Sequence, residues 1–350
     1  MLKRYVALHK CVAIGYGPQM RMMTRILGAK QLEVSTQGLG CMGMSFAYQL
    51  TDDAQSIATI HRAIELGITF FETADVYRFG HNERLLGRAL AGRRDGIVVA
   101  TKFGVVCEEG DFTSTHMANG RPEYVRRSID ASLARLGMDH VDLYYQQRAD
   151  PDVPIEETVG AMAELVCAGK VRHLGLSDAQ PDTIRRAVAV HPITALQSEW
   201  SVFSRDIEVE VLGLCRPLGV GLVPYSLMGR GLLAGLVADP PPRSANGNGR
   251  PRIRSDARAA NLMLVDVLRS IAAAHHVTPG QVALGWLHRQ GDDVVPVAGA
   301  KRRRYLEQNV AAIDLDLSAG ELAALDVLRP ASAPRPDVTE AAWPAVPRPL

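Results

Sequence analysis

The chain predicts an α/β fold, a (β/α)8 TIM barrel, on three observations. Short apolar runs rich in β-branched and aromatic residues alternate with longer amphipathic segments from Thr24 to about Leu328. Eight such runs qualify as strands, and strands alternating with helices build parallel βαβ units. Eight units in about 300 residues suit a closed barrel better than an open doubly wound sheet. The composition, 47% hydrophobic and 22% charged over 350 residues, is that of a globular chain with ample core. Barrels of this class reach that length as one domain.

The elements follow in order. RILGAKQLEVS at Arg25–Ser35 reads as a small hairpin capping the barrel bottom. Gln37–Cys41 is the first strand and Ala54–Leu66 the first helix. Thr69–Thr73 is the second strand, followed by a helical pattern over Asn82–Leu90. Ile97–Thr101 precedes Arg121–Leu136, which sets Val125, Ile129, Leu133 and Leu136 on one helical face. Val141–Tyr145 leads to the helix Ile155–Ala168. Val171–Leu176 leads to Pro181–Val190, where Pro181 suits a first helical turn. Thr194–Gln197, a helix over Ile207–Leu214, Val220–Tyr225, a helix over Leu262–His275 and a strand at Val294–Val297 complete the set. Ala238–Arg258 interrupts the rhythm with Pro240-Pro241-Pro242, Asn246-Gly247-Asn248-Gly249 and five arginines, and reads as a long flexible loop.

Residues 1–22 read as a disordered extension or a misassigned start, because Gly15 and Gly17 break the apolar stretch a signal peptide requires. Residues 23–329 form the barrel, and the Pro/Ala-rich residues 330–350 form a tail. Lys and Arg number 39 and Asp and Glu 38, so no net charge favours nucleic acid or an acidic membrane. No run of eighteen apolar residues predicts a membrane span. The five scattered cysteines fit a reducing cytoplasm better than a disulfide framework, and neither they nor His81, His116 and His173 have metal-ligand spacing. No motif reports an oligomeric state.

In a barrel, chemistry sits at the C-terminal ends of strands. Those positions carry Asp75 and Tyr77, then Lys102, then Gln146, Gln147 and Arg148, then Ser177 and Asp178, Gln197, Tyr225 and Ser226, and finally the run Gly299 to Arg304. Asp75, Tyr77 and Lys102 make chemical sense together. A free tyrosine titrates near about pH 10, a poor acid at neutrality. A neighbouring ammonium favours the phenolate, and a carboxylate pairing with Lys102 would fix that ammonium. Such a tyrosine can hand a proton to a carbonyl oxygen as hydride reaches the carbon. Cys41 and Cys107 border the same rim, though free cysteines are more often packed hydrophobes. Met42, Met44 and Phe46 could wall a substrate or pack in the core, and Trp200 could reach the substrate or pack.

Several spaced motifs resemble the aldo-keto reductase family. DVYRFGHNERLLGRAL at Asp75–Leu90 is similar to the signature D-x-Y-G-x-x-E-x-x-L-G-x-A-L, with an inserted Arg78-Phe79. TKFG at Thr101–Gly104, RLGMDHVDLYYQQR at Arg135–Arg148, GLSDA at Gly175–Ala179, QSEWSVFSR at Gln197–Arg205 and YSLMGRGLLAG at Tyr225–Gly235 extend the match over residues 24–328. GLGCMGMS at Gly38–Ser45 resembles the bacterial branch that acts on aldehydes and ketones. The resemblance implies an NADP-dependent oxidoreductase reducing a small-molecule carbonyl. Tyr77 would be the general acid, Lys102 the partner that lowers its pKa, and Asp75 the partner of Lys102. Ser177, Asp178 and Gln197 would hold the nicotinamide carboxamide, with Asp178 standing where many relatives have Asn or Glu. Tyr225 would stack on the ring. Ser226, Leu227, Gly229 and Gly231 would line the pyrophosphate path, with Gly40, Cys41 and Met42 beside the cofactor. Gly299, Lys301, Arg302, Gln308 and Asn309 would hold the adenosine end. The run Lys301 to Arg304 fits a 2′-phosphate and favours NADPH over NADH.

One departure matters. The family usually reads Tyr-Gln-His-Arg at the fourth strand, and this chain reads Tyr145-Gln146-Gln147-Arg148. Gln147 can still donate a hydrogen bond but cannot titrate near neutrality. Three readings follow. Gln147 preserves carbonyl reduction; or it marks reduction of a conjugated C=C or imine bond, as relatives with Glu here reduce steroid enones; or the barrel binds nicotinamide without turnover, as potassium-channel β subunits illustrate.

Overall fold

The computed structural model describes residues 22–45, 52–106, 117–229, 233 and 255–327, with 255–260 described by their backbone alone. Eight parallel strands form one sheet: β1 Gly38–Gly40, β2 Phe70–Glu72, β3 Val98–Phe103, β4 Val141–Gln146, β5 Val171–Ser177, β6 Ala195–Glu199, β7 Gly221–Tyr225 and β8 Val297–Gly299. Each pairs with its sequence neighbour, and β8 pairs with β1 in register Val297↔Gly38. A parallel bridge between Leu222 and Val294 joins the remaining edges, so the (β/α)8 barrel closes.

Two-residue periodicity divides the strand side chains into two cores. Phe70, Ala100, Leu143, Tyr145, Ala195, Val223 and Val297 point inward and fill the barrel. Phe71, Val99, Phe103, Tyr144, Leu196 and Leu222 point outward against the helices. Those helices are α1 Asp53–Glu65, α2 His81–Leu90, α3 Pro122–Leu136, α4 Ile155–Cys167, α5 Pro181–Val190, α6 Val211–Cys215, α7 Ser255–Ala274, α8 Pro279–His288, α9 Arg303–Ala311 and α10 Ala319–Val327. Pro181 occupies the first turn of α5, as its sequence suggests.

The hairpin Thr24–Leu27 and Leu32–Ser35 plugs the bottom. Leu27, Leu32 and Val34 join the inner core. Gly28 sits at φ +68, and a Cβ there would stand 2.4 Å from the Thr194 oxygen, so only glycine allows this approach. Met22, assigned from sequence to the extension, lies against Gly67.

Some boundaries differ from expectation. The segment read as a helix over Ile207–Leu214 is a 3-10 turn at Asp206–Glu208 followed by α6. Ser255–Arg258, assigned to the long loop, begin α7; the rest of that loop lies outside the described residues, as do Phe46, Cys107, His116, Gly231 and the tail. The strand expected at Val294–Val297 is β8 at Val297–Gly299, with Val294 contributing only the closing bridge. The sequence patterns above do not include α8, although Thr278 and Gln281 form a reciprocal capping box with Pro279 in the first turn. They do not include α9 or α10 either.

Candidate active site

Following the inward parity one residue pair beyond the barrel core reaches the site. Phe70 is followed inward by Glu72, Ala100 by Lys102, Tyr145 by Gln147, Ala195 by Gln197 and Val223 by Tyr225. These side chains converge at the C-terminal mouth, where barrels carry their chemistry.

Lys102 is 1% exposed, and its Nζ is ion-paired with Glu72 Oε1. The structure therefore corrects the expectation that Asp75 pairs with Lys102. Glu72 ends β2 on the inward face, whereas Asp75 falls in the turn beyond it. The Asp75 N–H donates to the Lys102 carbonyl at 3.1 Å, but its Oδ1 is buried without a hydrogen-bond partner. Burial, reinforced by Glu83, pushes the Asp75 carboxyl well above the usual range. Glu72 is the residue that sequence reasoning missed. Inward parity from Phe70 was the signal that could have found it.

Tyr77 is buried, with its OH 3.5 Å from Glu72 Oε1 and its ring centroid 5.0 Å from Lys102 Nζ. Burial raises the Tyr77 phenol, with Tyr225 adding to the effect and Arg148 opposing it. Burial also holds the Lys102 ammonium well below its ordinary value, and Arg148 lowers it further. Beneath them Asn82 accepts from Thr73 Oγ1 at 2.7 Å and donates to the Cys41 carbonyl at 2.9 Å and Ser45 Oγ at 2.8 Å. This network fixes the turn that carries Tyr77.

Gln147 is 2% exposed; its N–H donates to the Phe103 carbonyl at 2.8 Å, and its Oε1 has no partner. Arg148 Nη1 donates to the Gln147 carbonyl at 2.7 Å and approaches Ser177 Oγ at 3.5 Å. It also pairs with Asp178 Oδ2 at 2.9 Å. The Tyr225 OH donates to that same oxygen at 2.6 Å, while Ser198 Oγ and the Glu199 N–H reach Oδ1. Asp178 adopts φ +48, a left-handed conformation disfavoured for a non-glycine residue, held by its N–H bond to the Gln197 carbonyl. Both Asp178 oxygens are thus engaged within the protein. Gln197 Nε2 is buried and unpartnered.

Beyond this cluster a rim of small and basic residues runs around the mouth. Gly40, Cys41 and half-buried Met42 follow β1; a Cβ on Gly40 would come within 3.5 Å of Glu72 Oε2. Burial pushes the Cys41 thiol up to about 12. Ser226 at φ +59, Leu227 and Gly229 follow β7. Gly299 ends β8, exposed, and Asn309 Nδ2 donates to its carbonyl at 3.4 Å. Lys301 lies against Gly43, Arg302 caps the start of α9, and Gln308 is half-buried on the same helix. A helix N-terminus with adjacent guanidinium groups is a ready anion site.

The remaining candidates pack. Trp200 is fully buried, edge-on to Trp286 with centroids 6.2 Å apart, and donates to Glu208 Oε1 at 3.0 Å. Met44 lies in the outer core. His81 bonds Ser45 and His173 bonds Thr194. No helix among the described residues is long and apolar enough to cross a membrane.

A family model described as "Aldo/keto reductase family" matches residues 38–329. The chain is 45% identical over 299 residues to the Glycine max protein "Probable aldo-keto reductase 1", covering 85% of this chain and 86% of that one. Among solved structures it is similar to the holo form of an aldo-keto reductase from Bacillus halodurans, at 30% identity and TM-score 0.71, covering 89% of this chain and 98% of that one. It is also similar to an aldo-keto reductase from Klebsiella pneumoniae solved in complex with NADPH, at 26% identity and TM-score 0.68, covering 88% and 96%. With a barrel of this topology and a matching family model across most of its length, the chain belongs to the aldo-keto reductase family.

Proposed function

We propose that the protein is an NADPH-dependent oxidoreductase that reduces an aldehyde or ketone to an alcohol, with Tyr77 as the general acid. The observation that carries this reading is the buried Glu72–Lys102 pair facing Tyr77 at the barrel mouth. The residues present fit a nicotinamide dinucleotide. Gln197 Nε2 is a buried donor lacking a partner, suited to a carboxamide oxygen. Ser177 stands beside it in the β5–β6 register, and Tyr225 offers an aromatic face. Lys301 and Arg302, at the start of α9, suit a 2′-phosphate and favour NADPH over NADH.

The bound cofactor supplies the hydride that reaches the carbonyl carbon. The chain supplies everything else. Burial keeps the Tyr77 phenol protonated at neutral pH, the form a reduction requires. The Tyr77 OH gives its proton to the carbonyl oxygen. Lys102, tied to Glu72, stands against the ring as that proton leaves. Gln147 orients the carbonyl by donating from its amide NH2.

Oxidation of NADPH with a panel of small aldehydes and ketones tests this. Tyr77→Phe should lose about 10²- to 10⁴-fold in turnover while still binding NADPH. Wild-type protein inert towards every carbonyl, or Tyr77→Phe as active as wild type, would sink the proposal. A second reading rests on Gln147: an uncharged, untitratable amide replaces the expected histidine, which suits reduction of a conjugated C=C bond. An enone in the same panel separates the two.

A further inference from the structure

Tyr77 is followed by three residues in the left-handed region: Arg78 at φ +51, Phe79 at φ +52 and Gly80 at φ +75. Arg78 and Phe79 carry side chains, for which that conformation is disfavoured. Such a turn keeps its shape only where its surroundings fix it. Tyr77 depends on that shape, because the phenol reaches Lys102 only from a fixed backbone.

Asn82 holds the turn. It is fully buried, and its N–H donates to the Tyr77 carbonyl at 3.3 Å. Both ends of its amide are engaged. Oδ1 accepts from Thr73 Oγ1, just after β2, and Nδ2 donates to the Cys41 carbonyl, just after β1, and to Ser45 Oγ. From Ser45 the contacts lead outward. His81 Nδ1 lies 2.9 Å from Ser45 Oγ, and His81 Nε2 lies 3.3 Å from Asp53 Oδ1. Arg88 pairs with the other oxygen of Asp53. A carboxylate only accepts, so in the neutral imidazole Nε2 carries the proton and Nδ1 is bare. Ser45 therefore accepts from Asn82 and donates its own hydrogen to His81. A proton on Nδ1 reverses that last bond. Ser45 Oγ then faces two donors, and its hydrogen, in a residue 2% exposed, loses its acceptor.

We propose that His81 is a positioning residue for Tyr77: its neutral, Nε2–H form aims the Ser45 hydroxyl, which keeps Asn82 on the turn that carries Tyr77, and its protonation releases that turn. This rests on the reading of Tyr77 as proton donor, with the Glu72–Lys102 pair beside the ring as before. The charged groups around His81 are Asp53 from α1, Arg88 from α2 and Arg78 in the turn. Burial lowers the imidazole first. Asp53 opposes that, and the two guanidinium groups reinforce it, so the neutral form prevails at neutral pH.

Nitrogen-15 spectra of histidine-labelled protein read the tautomer without any substrate. At neutral pH His81 should be the Nε2–H form, and an Nδ1–H form overturns the proposal. The consequence is read from kcat for carbonyl reduction at saturating NADPH, from about pH 7.5 to about pH 5, the range in which an imidazole charges. Wild-type kcat should fall about fivefold across that range, the order of one neutral hydrogen bond. His81→Leu, which removes the acceptor, should be about fivefold slower throughout, with no further fall. His81→Asn places an amide oxygen where Nδ1 stood and cannot charge. It should restore most of the kcat lost in His81→Leu and show no acid fall. A merely structural role would lower the urea midpoints of both variants and leave their kcat and pH profiles like wild type. An acid fall in His81→Asn equal to that of wild type, with Tyr77→Phe inactive, overturns the role of His81 alone. Turnover retained by Tyr77→Phe overturns the functional reading beneath it.

Discussion

Two carboxylates near the mouth have opposite surroundings. Glu72 pairs with a buried ammonium, while Asp75 is pushed towards its protonated form by burial and Glu83. Glu72→Gln leaves Lys102 without its counter-ion, and an uncompensated buried charge costs about 3–5 kcal/mol. We expect lower urea-unfolding stability and lower kcat from Glu72→Gln, and a smaller loss of kcat from Asp75→Asn, whose amide mimics the protonated acid. Equal losses from the two would mean that the ion pair does not govern Tyr77. Gln147→His tests the mouth from the other side. An imidazole donor should raise aldehyde turnover if Gln147 is a weakened carbonyl-positioning group; a loss of enone turnover instead would make the glutamine the determinant of a different reaction.

At the scale of elements, most of the barrel was legible because strand periodicity and amphipathic helices are written locally. Phe70 and Phe71 in succession already encode one inward and one outward side chain, and Tyr144 and Tyr145 repeat the pattern. The same parity, extended by two residues, would have placed Glu72 inside the mouth; a motif that begins at Asp75 hid it. Trp200 could not be decided locally, because its fate depends on Trp286, which lies far along the chain on α8. On the proposed reading the start of α9, with Arg302 at the cap and Lys301 just before it, takes a doubly charged phosphate, since the first N–H groups of a helix lack intrahelical acceptors. Burial, followed by Arg302, lowers the Lys301 ammonium, so a bound phosphate would relieve crowding between like charges. Arg302→Ala should raise the NADPH dissociation constant by about tenfold, the order of one charge-assisted contact, and leave that for NADH nearly unchanged. Equal weakening of both cofactors would move the 2′-phosphate away from α9.

At the scale of the whole molecule, the candidate site lies at the C-terminal end of the barrel and the hairpin covers the other end. Arg25 reaches from the hairpin to the carbonyls of His288 and Val294, tying the plug to α8 and to the bridge that closes the sheet. His288 is buried there, its Nε2 3.1 Å from Gln37 Oε1 and its Nδ1 without a partner. Burial lowers its pKa to about 3, and Arg25 and Arg289 add to the effect. In the unfolded chain the same imidazole titrates near about 6.5. Between those values the unfolded state binds a proton that the folded state refuses, so stability is full above about pH 6.5 and declines as pH falls towards 3. A shift of this size corresponds to at most about 5 kcal/mol. Carboxylates contribute their own acid loss lower down, so the informative window is pH 7 to 5. There wild-type urea midpoints should fall with pH, and those of His288→Gln, which keeps a polar group but cannot charge, should fall less steeply, because burial also lowers His81, His140 and His173. Parallel curves for the two proteins would mean that the plug tolerates a charged imidazole and that the barrel's acid sensitivity originates elsewhere.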